Sequence, residues 1–120
     1  MGKSARSELV DLFFRFQSMV QALRSLPGVE GLSPEHEALL KLVGSHWHSG
    51  HSLSVREAMR NEAFGSPATI HKRLHFLREI DLIDLEVAEN DSRKRIIVPT
   101  ANAVDYFVAQ AKAIKTLTKS

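Results

Sequence analysis

Two short stretches of the sequence concentrate cationic and hydrogen-bonding side chains. Residues 66–80 carry Ser66, Thr69, His71, Lys72, Arg73 and His75, and a second block carries Arg93, Lys94 and Arg95. The first stretch contains no acid before Glu79, whereas the segment between the two blocks is acidic. Lys and Arg side chains bind phosphate and carboxylate groups through charge-assisted hydrogen bonds. The pattern therefore predicts two anion-binding contacts presented by one scaffold.

The sequence SPATIHKRLHFLREI predicts that residues 66–80 form a helix. Ser66 is a typical N-cap and Pro67 suits the first helical position, which needs no backbone N–H. Ile70, Leu74 and Leu77 share one face at helical spacing, which predicts burial against a core. The cations and histidines of this stretch fall on the other side, so we expect that side to face an anionic partner.

The second block belongs to a predicted β-hairpin. Leu82, Ile83, Leu85 and Val87 alternate with Asp84, Glu86 and Ala88, which is typical of a half-exposed strand. Residues 89–92 have turn composition, and residues 95–99 read as the returning strand, ended by Pro99. Arg93 and Lys94 are accordingly expected at or beside the hairpin tip.

The remaining chain is predicted to be helical. Helices are expected over residues 7–25, from about 34 to 48, from about 55 to 61, and over 101–118, with Leu39, Leu40, Leu42, Val43 and Trp47 facing inward on the second. A short helix, a turn containing Gly65 and a basic helix make a helix-turn-helix pattern. The apolar face of residues 7–25, which includes Phe13, Phe14 and Phe16, is wider than one core contact needs. Such a face is usually buried against a partner or the other terminus.

These elements predict a mainly α fold with a small β-hairpin, a winged helix-turn-helix with N- and C-terminal dimerisation helices. A chain of 120 residues with 43% apolar content is predicted to form a single domain over residues 1–120. Within it, residues 32–99 would form the winged-helix core, and residues 7–25 and 101–118 would pair two copies. The physical logic is that a helix fits the major groove of B-DNA, where the base edges are distinguishable.

The segment SPATIHKRLHFLREIDLIDLEVAENDSRKRIIVPTANA resembles the winged helix of MarR-type transcriptional regulators. That family has a basic recognition helix, a helix stop before the first wing strand, and an Asp-x-Arg at the wing tip, here Asp91-Ser92-Arg93. Two positions depart from the pattern. The helix stop is Asp81 rather than the usual Gly, and the post-wing segment is PTANA rather than Leu-Thr-Pro-x-Gly.

The resemblance implies a homodimeric, sequence-specific regulator of double-stranded DNA, with residues 66–80 in the major groove and the wing, residues 82–98, on the adjacent minor groove or backbone. Ser66 and Thr69 would contact phosphate, while His71, Lys72 and His75 would reach base edges. Arg93 would enter the minor groove, oriented by Asp91 and assisted by Lys94. The resemblance also admits a small-molecule effector.

Two of the cations have a structural alternative. Arg73 lies near the apolar stripe, where it would pair with Glu79 or Asp81 instead of DNA. Arg95 would pair across the hairpin with Glu86 or Glu89. Both also remain among the expected DNA contacts.

Composition limits the other function classes. The sequence has no cysteine, which excludes thiolate metal sites, disulfides and thiol nucleophiles. No catalytic signature, phosphate loop or cofactor motif occurs, so we expect a protein that is not an enzyme and needs no cofactor. No apolar run approaches the roughly 20 residues that span a bilayer, and no signal peptide is evident, so a cytoplasmic protein without a membrane contact is expected.

Two alternatives to a DNA-binding regulator remain. A winged helix can bind protein rather than DNA, because fold does not fix function. His46, His48 and His51 could instead make the protein a metal-responsive regulator. Since His46 and His48 lie about 200° apart on a helix, no metal site is expected there. Histidines at a helix C-terminus commonly interact with the helix dipole instead.

Overall fold

The computed structural model describes residues 4–119. The elements are α1 (Ala5–Arg24), α2 (Pro34–His48), α3 (Val55–Met59), a 3-10 turn (Glu62–Phe64), α4 (Pro67–Glu79), β1 (Ile83–Ala88), β2 (Asp91–Pro99) and α5 (Ala101–Thr118). The mainly α fold with one hairpin is therefore confirmed. Residues 1–3 and 120 of the predicted domain lie outside the described part.

The chain divides into two compact units, one of residues 31–104 and one that combines the two ends of the chain. The first unit contains α2, α3, α4 and the hairpin, together with the first residues of α5. The described residues of the second are 4–30 and 105–119. The assignment of residues 1–120 to a single domain stays a prediction.

In the unit of residues 31–104, α2 packs against α4 and β2, α3 packs against the same two elements, and α4 also contacts β1. The core of this unit consists of Leu39, Leu40, Val43, Leu53, Ala58, Ile70, Leu74, Leu77, Leu82, Ile83, Ile97 and Ala103. The predicted inward stripe of residues 66–80 is thus buried. The prediction that Trp47 faces inward was wrong, because this residue is 40% exposed. The buried face of α2 ends at Gly44, and the last turn leaves the core.

Serine N-caps begin the three helices of this unit. The hydroxyls of Ser33, Ser54 and Ser66 each accept a hydrogen bond from the backbone N–H three residues later. These bonds satisfy donors that a helix start leaves without a partner. Ser54 also forms a bridge with Ile96, and the Leu53 carbonyl accepts a hydrogen bond of 2.8 Å from Ile97 N. The start of α3 is therefore attached to β2.

The hairpin, called the wing below, is an antiparallel pair of β1 and β2. The register runs from Ile83 opposite Pro99 to Val87 opposite Arg95, and then shifts so that Ala88 lies opposite Asp91. The prediction that the returning strand begins at Arg95 was wrong, because β2 begins at Asp91. Residues 92–94 form a bulge on β2, so the strand includes the cations that were expected at the tip.

In the unit of residues 4–30 and 105–119, α1 begins two residues earlier than predicted because Ser4 caps it. No residue of α1 is buried, and its apolar side chains Leu9, Val10, Leu12, Phe13, Phe14 and Phe16 are exposed. On α5, Val108 and Ile114 are exposed, whereas Tyr106 and Leu117 are buried. Across residues 4–119, no helix combines the length and apolarity that a membrane crossing needs.

Candidate nucleic-acid interface

The turn before α4 is fixed by backbone geometry and by one arginine. Gly65 has φ of 121° and ψ of −172°, a conformation that is essentially restricted to glycine. Arg73 is half-buried, and its Nη1 donates a hydrogen bond of 2.9 Å to the carbonyl of Phe64. The predicted pairing of Arg73 with Glu79 or Asp81 was therefore wrong. The guanidinium instead ties α4 to the turn that precedes it.

The first turn of α4 carries Ser66 and Thr69. Ser66 Oγ accepts from Thr69 N at 3.2 Å and donates to Thr69 Oγ1 at 2.9 Å. Thr69 is half-buried, whereas Ser66 is exposed. The two hydroxyls thus hold each other at the start of the helix, where backbone N–H groups and the helix dipole favour an anion.

The solvent-facing side of α4 presents His71, Lys72 and His75, all exposed. His75 Nε2 lies 2.9 Å from a carboxylate oxygen of Glu79, one helical turn along, and both side chains are well exposed. Arg78 Nε lies 3.9 Å from Asp84 Oδ1 at the start of the wing. Because His71 and Lys72 are exposed, no other part of their own unit covers these two side chains.

The wing presents Arg93, Lys94 and Arg95, all exposed. Asp91 Oδ1 accepts a hydrogen bond of 2.9 Å from the backbone N–H of Arg93, so the carboxylate orders the bulge through the main chain. The Nη1 of Arg95 donates to the Ser92 carbonyl at 2.8 Å. The predicted alternative for Arg95, a partner at Glu86 or Glu89, was wrong, because the bulge brings a backbone carbonyl within its reach.

A groove of about 980 Å³ separates α3 and the start of α4 from the wing. Its lining includes Arg56 and Glu57 from α3 and Arg60 at the C-cap of α3, together with the wing cations and Asp91. These three residues are not among the contacts predicted from the sequence. Their signal was the four-residue spacing of two arginines on the short helix of a helix-turn-helix, which places both on one side.

Glu57 is the acid that α3 contributes to this groove. The pKa of Glu57 is lowered from its ordinary value of 4.5, first by the hydrogen bonds from Ser54 and to a smaller extent by the charge of Lys94. Both effects stabilise the carboxylate form.

His36, in the first turn of α2, is another residue that the sequence did not single out. Its Nδ1 lies 2.6 Å from Ser33 Oγ, and its ring packs against Phe76 of α4 with 4.3 Å between ring centroids. Burial lowers the pKa of His36 from its ordinary value of 6.5, and the charge of Arg73 lowers it further. The neutral imidazole thus serves as a packing element between α2 and α4.

The three histidines considered as metal ligands are not brought together. His46 is half-buried, whereas His48 and His51 are exposed. His51 Nδ1 lies 3.2 Å from the carbonyl oxygen of Ser49. Over residues 4–119, no group of three or more His, Asp or Glu side chains is arranged to hold a metal ion.

A helix-turn-helix formed by α3 and α4, followed by a hairpin attached to α3, defines a winged helix-turn-helix. No family model matches the sequence, and no curated protein is similar to it. Solved structures do match. MepR of S. aureus bound to ethidium bromide superposes with a TM-score of 0.73 at 14% identity, covering 96% of this chain and 78% of that one.

Two further matches have the same architecture. The S. aureus MepR–DNA complex gives a TM-score of 0.63 at 15% identity, over 95% of this chain and 84% of that one. MarR gives 0.57 at 15% identity, over 96% and 78%. The chain therefore has the MarR-type winged-helix fold that the resemblance implied.

Proposed function

We propose that the protein is a homodimeric, sequence-specific regulator of transcription that binds double-stranded DNA. In this proposal α4 enters the major groove and the wing contacts the adjacent minor groove or backbone. The observation that carries the proposal is that the exposed cations of α4 and of the wing belong to one compact unit, in which the wing cations share a groove with Arg56 and Arg60. Two exposed cationic elements in one unit suit a polyanion of repeating phosphates.

The proposed roles follow from exposure and bonding. Lys72, His71 and His75 are free of the core and would reach base edges from α4. The first turn of α4, with Ser66 and Thr69, would receive a phosphate, since a helix N-terminus favours anions. On the wing, Arg93 would enter the minor groove with Lys94 beside it.

Two arginines receive a positioning role in addition to their charge. Arg73 and Arg95 each donate to a backbone carbonyl, of Phe64 and Ser92 respectively. Their bonds order the turn before α4 and the wing bulge. Arg56 of α3 and Arg60 at its C-cap are added as phosphate contacts, because the first helix of a helix-turn-helix crosses the DNA backbone.

The exposed apolar faces of α1 and α5 support the dimer. Leu9, Phe13 and Phe14 on α1, with Val108 and Ile114 on α5, are large apolar side chains exposed to solvent, and exposed apolar patches commonly mark protein–protein interfaces. A second copy would cover them and place two winged helices on half-sites about one helical turn apart.

The structural neighbours support the same function by analogy. MepR has been crystallised with DNA, and the present chain shares its fold. MepR has also been crystallised with ethidium bromide, so a small-molecule effector belongs to the proposal as well.

Selection of bound duplexes from a random pool, followed by affinity measurements over a salt series, tests the proposal. We expect an enriched palindromic sequence and a log affinity that falls linearly with log salt, by about 0.9 for each phosphate neutralised. Failure to bind any duplex at low salt would contradict the proposal. It would favour the alternative of a winged-helix module that binds protein.

A further inference from the structure

One ion pair connects α3 to the wing across the proposed DNA-binding groove. Glu57 Oε1 lies 3.9 Å from Lys94 Nζ, and the two side chains are 55% and 46% exposed. Both residues line the groove. The contact thus occupies a cation of the wing that the proposed function assigns to DNA.

The carboxylate of Glu57 is held in place by its own helix. Ser54 N donates to Glu57 Oε1 at 3.2 Å while Glu57 N donates to Ser54 Oγ at 3.1 Å, the reciprocal arrangement of a capping box. Ser54 is buried and bridges to Ile96 of β2. The position of the carboxylate relative to the wing is therefore set by the fold, so the side-chain entropy lost in forming the pair is mainly that of Lys94.

The surroundings of the carboxylate are cationic. Four arginines share the groove with it, Arg56 on α3, Arg60 at the C-cap of α3, and Arg93 and Arg95 on the wing. The other lining acid, Asp91, already accepts a hydrogen bond from the backbone N–H of Arg93. Glu57 thus supplies the negative charge beside Lys94 at a place where a bound duplex would supply a phosphate.

We propose that Glu57 competes with DNA phosphate for Lys94, so that the pair is an autoinhibitory contact that limits affinity for duplex DNA. The inference rests on the proposed function. On binding, Lys94 would exchange the carboxylate for a phosphate oxygen, and Glu57 would return to its capping role alone. The contact weakens binding to every duplex and so restrains non-specific binding.

The size of the effect is limited by exposure. Exposed ion pairs are typically worth less than about 1 kcal/mol, so removing the competitor is expected to raise affinity by roughly two- to fivefold. Glu57→Gln is the matched variant, because glutamine also completes a capping box while it removes the charge. Glu86→Gln is the control, since it makes the same charge change on the wing at a residue that does not line the groove.

The experiment measures duplex affinity at one low salt concentration for wild type, Glu57→Gln, Lys94→Gln, the double variant and Glu86→Gln. We expect Glu57→Gln to bind two- to fivefold more tightly, Lys94→Gln to bind more weakly, and Glu57→Gln to have little effect in the Lys94→Gln background. Thermal unfolding of Glu57→Gln should occur at a slightly lower temperature than that of wild type, because the cap is retained but the charge that Ser54 and Lys94 stabilise is lost.

Three outcomes would overturn the inference while leaving the proposed function intact. They are unchanged affinity of Glu57→Gln, an equal gain in the presence and absence of Lys94, and an equal gain from Glu86→Gln. The last two would mean that Glu57 acts only as a general negative charge. A wild-type protein that binds no duplex would instead remove the proposed function and the inference together.

Discussion

Asn102, in the first turn of α5, donates a hydrogen bond of 2.8 Å from its side-chain amide to Asp81 Oδ2. Asp81 lies two residues beyond the end of α4, has φ of 61° and is the only non-glycine residue with positive φ among those described. The backbone carbonyl of Asp81 also accepts a hydrogen bond, of 2.6 Å, from Thr100 Oγ1. The helix stop where the MarR-type pattern has Gly is thus stabilised by side chains that follow the wing.

The first prediction concerns this helix stop. Asp81→Ala should lower the free energy of unfolding by about 1–2 kcal/mol, because alanine keeps the cost of a left-handed conformation and loses the bond to Asn102. Asp81→Gly should be close to neutral, because glycine adopts this conformation freely. Urea unfolding measures both. Equal destabilisation by the two variants would contradict the account.

The second prediction separates Arg73 from its neighbour Lys72. Arg73→Ala should lower the free energy of unfolding by roughly 1.5–3 kcal/mol, since it removes a charge-assisted bond to the half-buried turn at Phe64. Lys72→Ala should leave stability unchanged and weaken DNA binding by about 1–3 kcal/mol if Lys72 reads a base. Urea unfolding and duplex titration of both variants provide the comparison.

For Lys72, the choice of duplex distinguishes two kinds of contact. A loss confined to the selected sequence indicates a base contact, and an equal loss on all duplexes indicates a phosphate contact. If Lys72→Ala, in which the bond from Arg73 to the Phe64 carbonyl is intact, also lowers the free energy of unfolding, then Arg73 and Lys72 do not have the separate roles proposed here.

The third prediction concerns Gly65. A Cβ built there would lie 3.3 Å from Cγ2 of Thr69, in a backbone conformation that side chains rarely adopt. Gly65→Ala should therefore destabilise the protein by about 1–3 kcal/mol. Gly50→Ala is the control, because it also has positive φ but meets no atom within 4 Å. A smaller loss at Gly65 than at Gly50 would show that the turn relaxes.

The fourth prediction is a pH dependence of stability due to His36. Because its pKa is lowered in the folded state, the unfolded chain binds its proton more readily than the folded chain does. The free energy of unfolding should therefore fall as the pH drops from about 6.5 through the lowered pKa. His36→Gln should remove this part of the slope.

Urea midpoints of wild type and His36→Gln, measured from pH 8 to pH 5, isolate the contribution of His36 to the pH dependence of stability, because the other titrating groups are common to both proteins. As the pH falls from 8 to 5, the free energy of unfolding of wild type should decrease relative to that of His36→Gln. A constant difference across this range would mean that His36 titrates alike in both states.

The fifth prediction concerns association. Phe14 is 62% exposed on α1, so Phe14→Asp should leave the folded chain intact while it weakens the proposed dimer. Sedimentation velocity over a concentration series measures the shift toward monomer, and circular dichroism checks the helix content. Arg15→Asp, an exposed change on the same helix, is the comparison. An unchanged dimer in Phe14→Asp would exclude this face.

Local features of the sequence were sufficient to predict the order of elements. Ser33-Pro34 and Ser66-Pro67 mark two helix starts within a few residues, and the burial of Ile70, Leu74 and Leu77 follows from one helical period. The positions that the sequence predicted incorrectly depend on neighbours beyond that range. Trp47 was expected inside because the period continues to it, but the core does not extend that far.

The sequence by itself determined the helix-turn-helix, the hairpin and the cationic character of both, because capping, periodicity and turn chemistry act between residues close in the chain. Only the tertiary structure decided which groups meet across elements: Arg73 with the Phe64 carbonyl, His36 with Phe76, and Glu57 with Lys94. These contacts arise when separate elements pack. Their partners are therefore fixed by the three-dimensional arrangement of the backbone, which no local pattern of residues encodes.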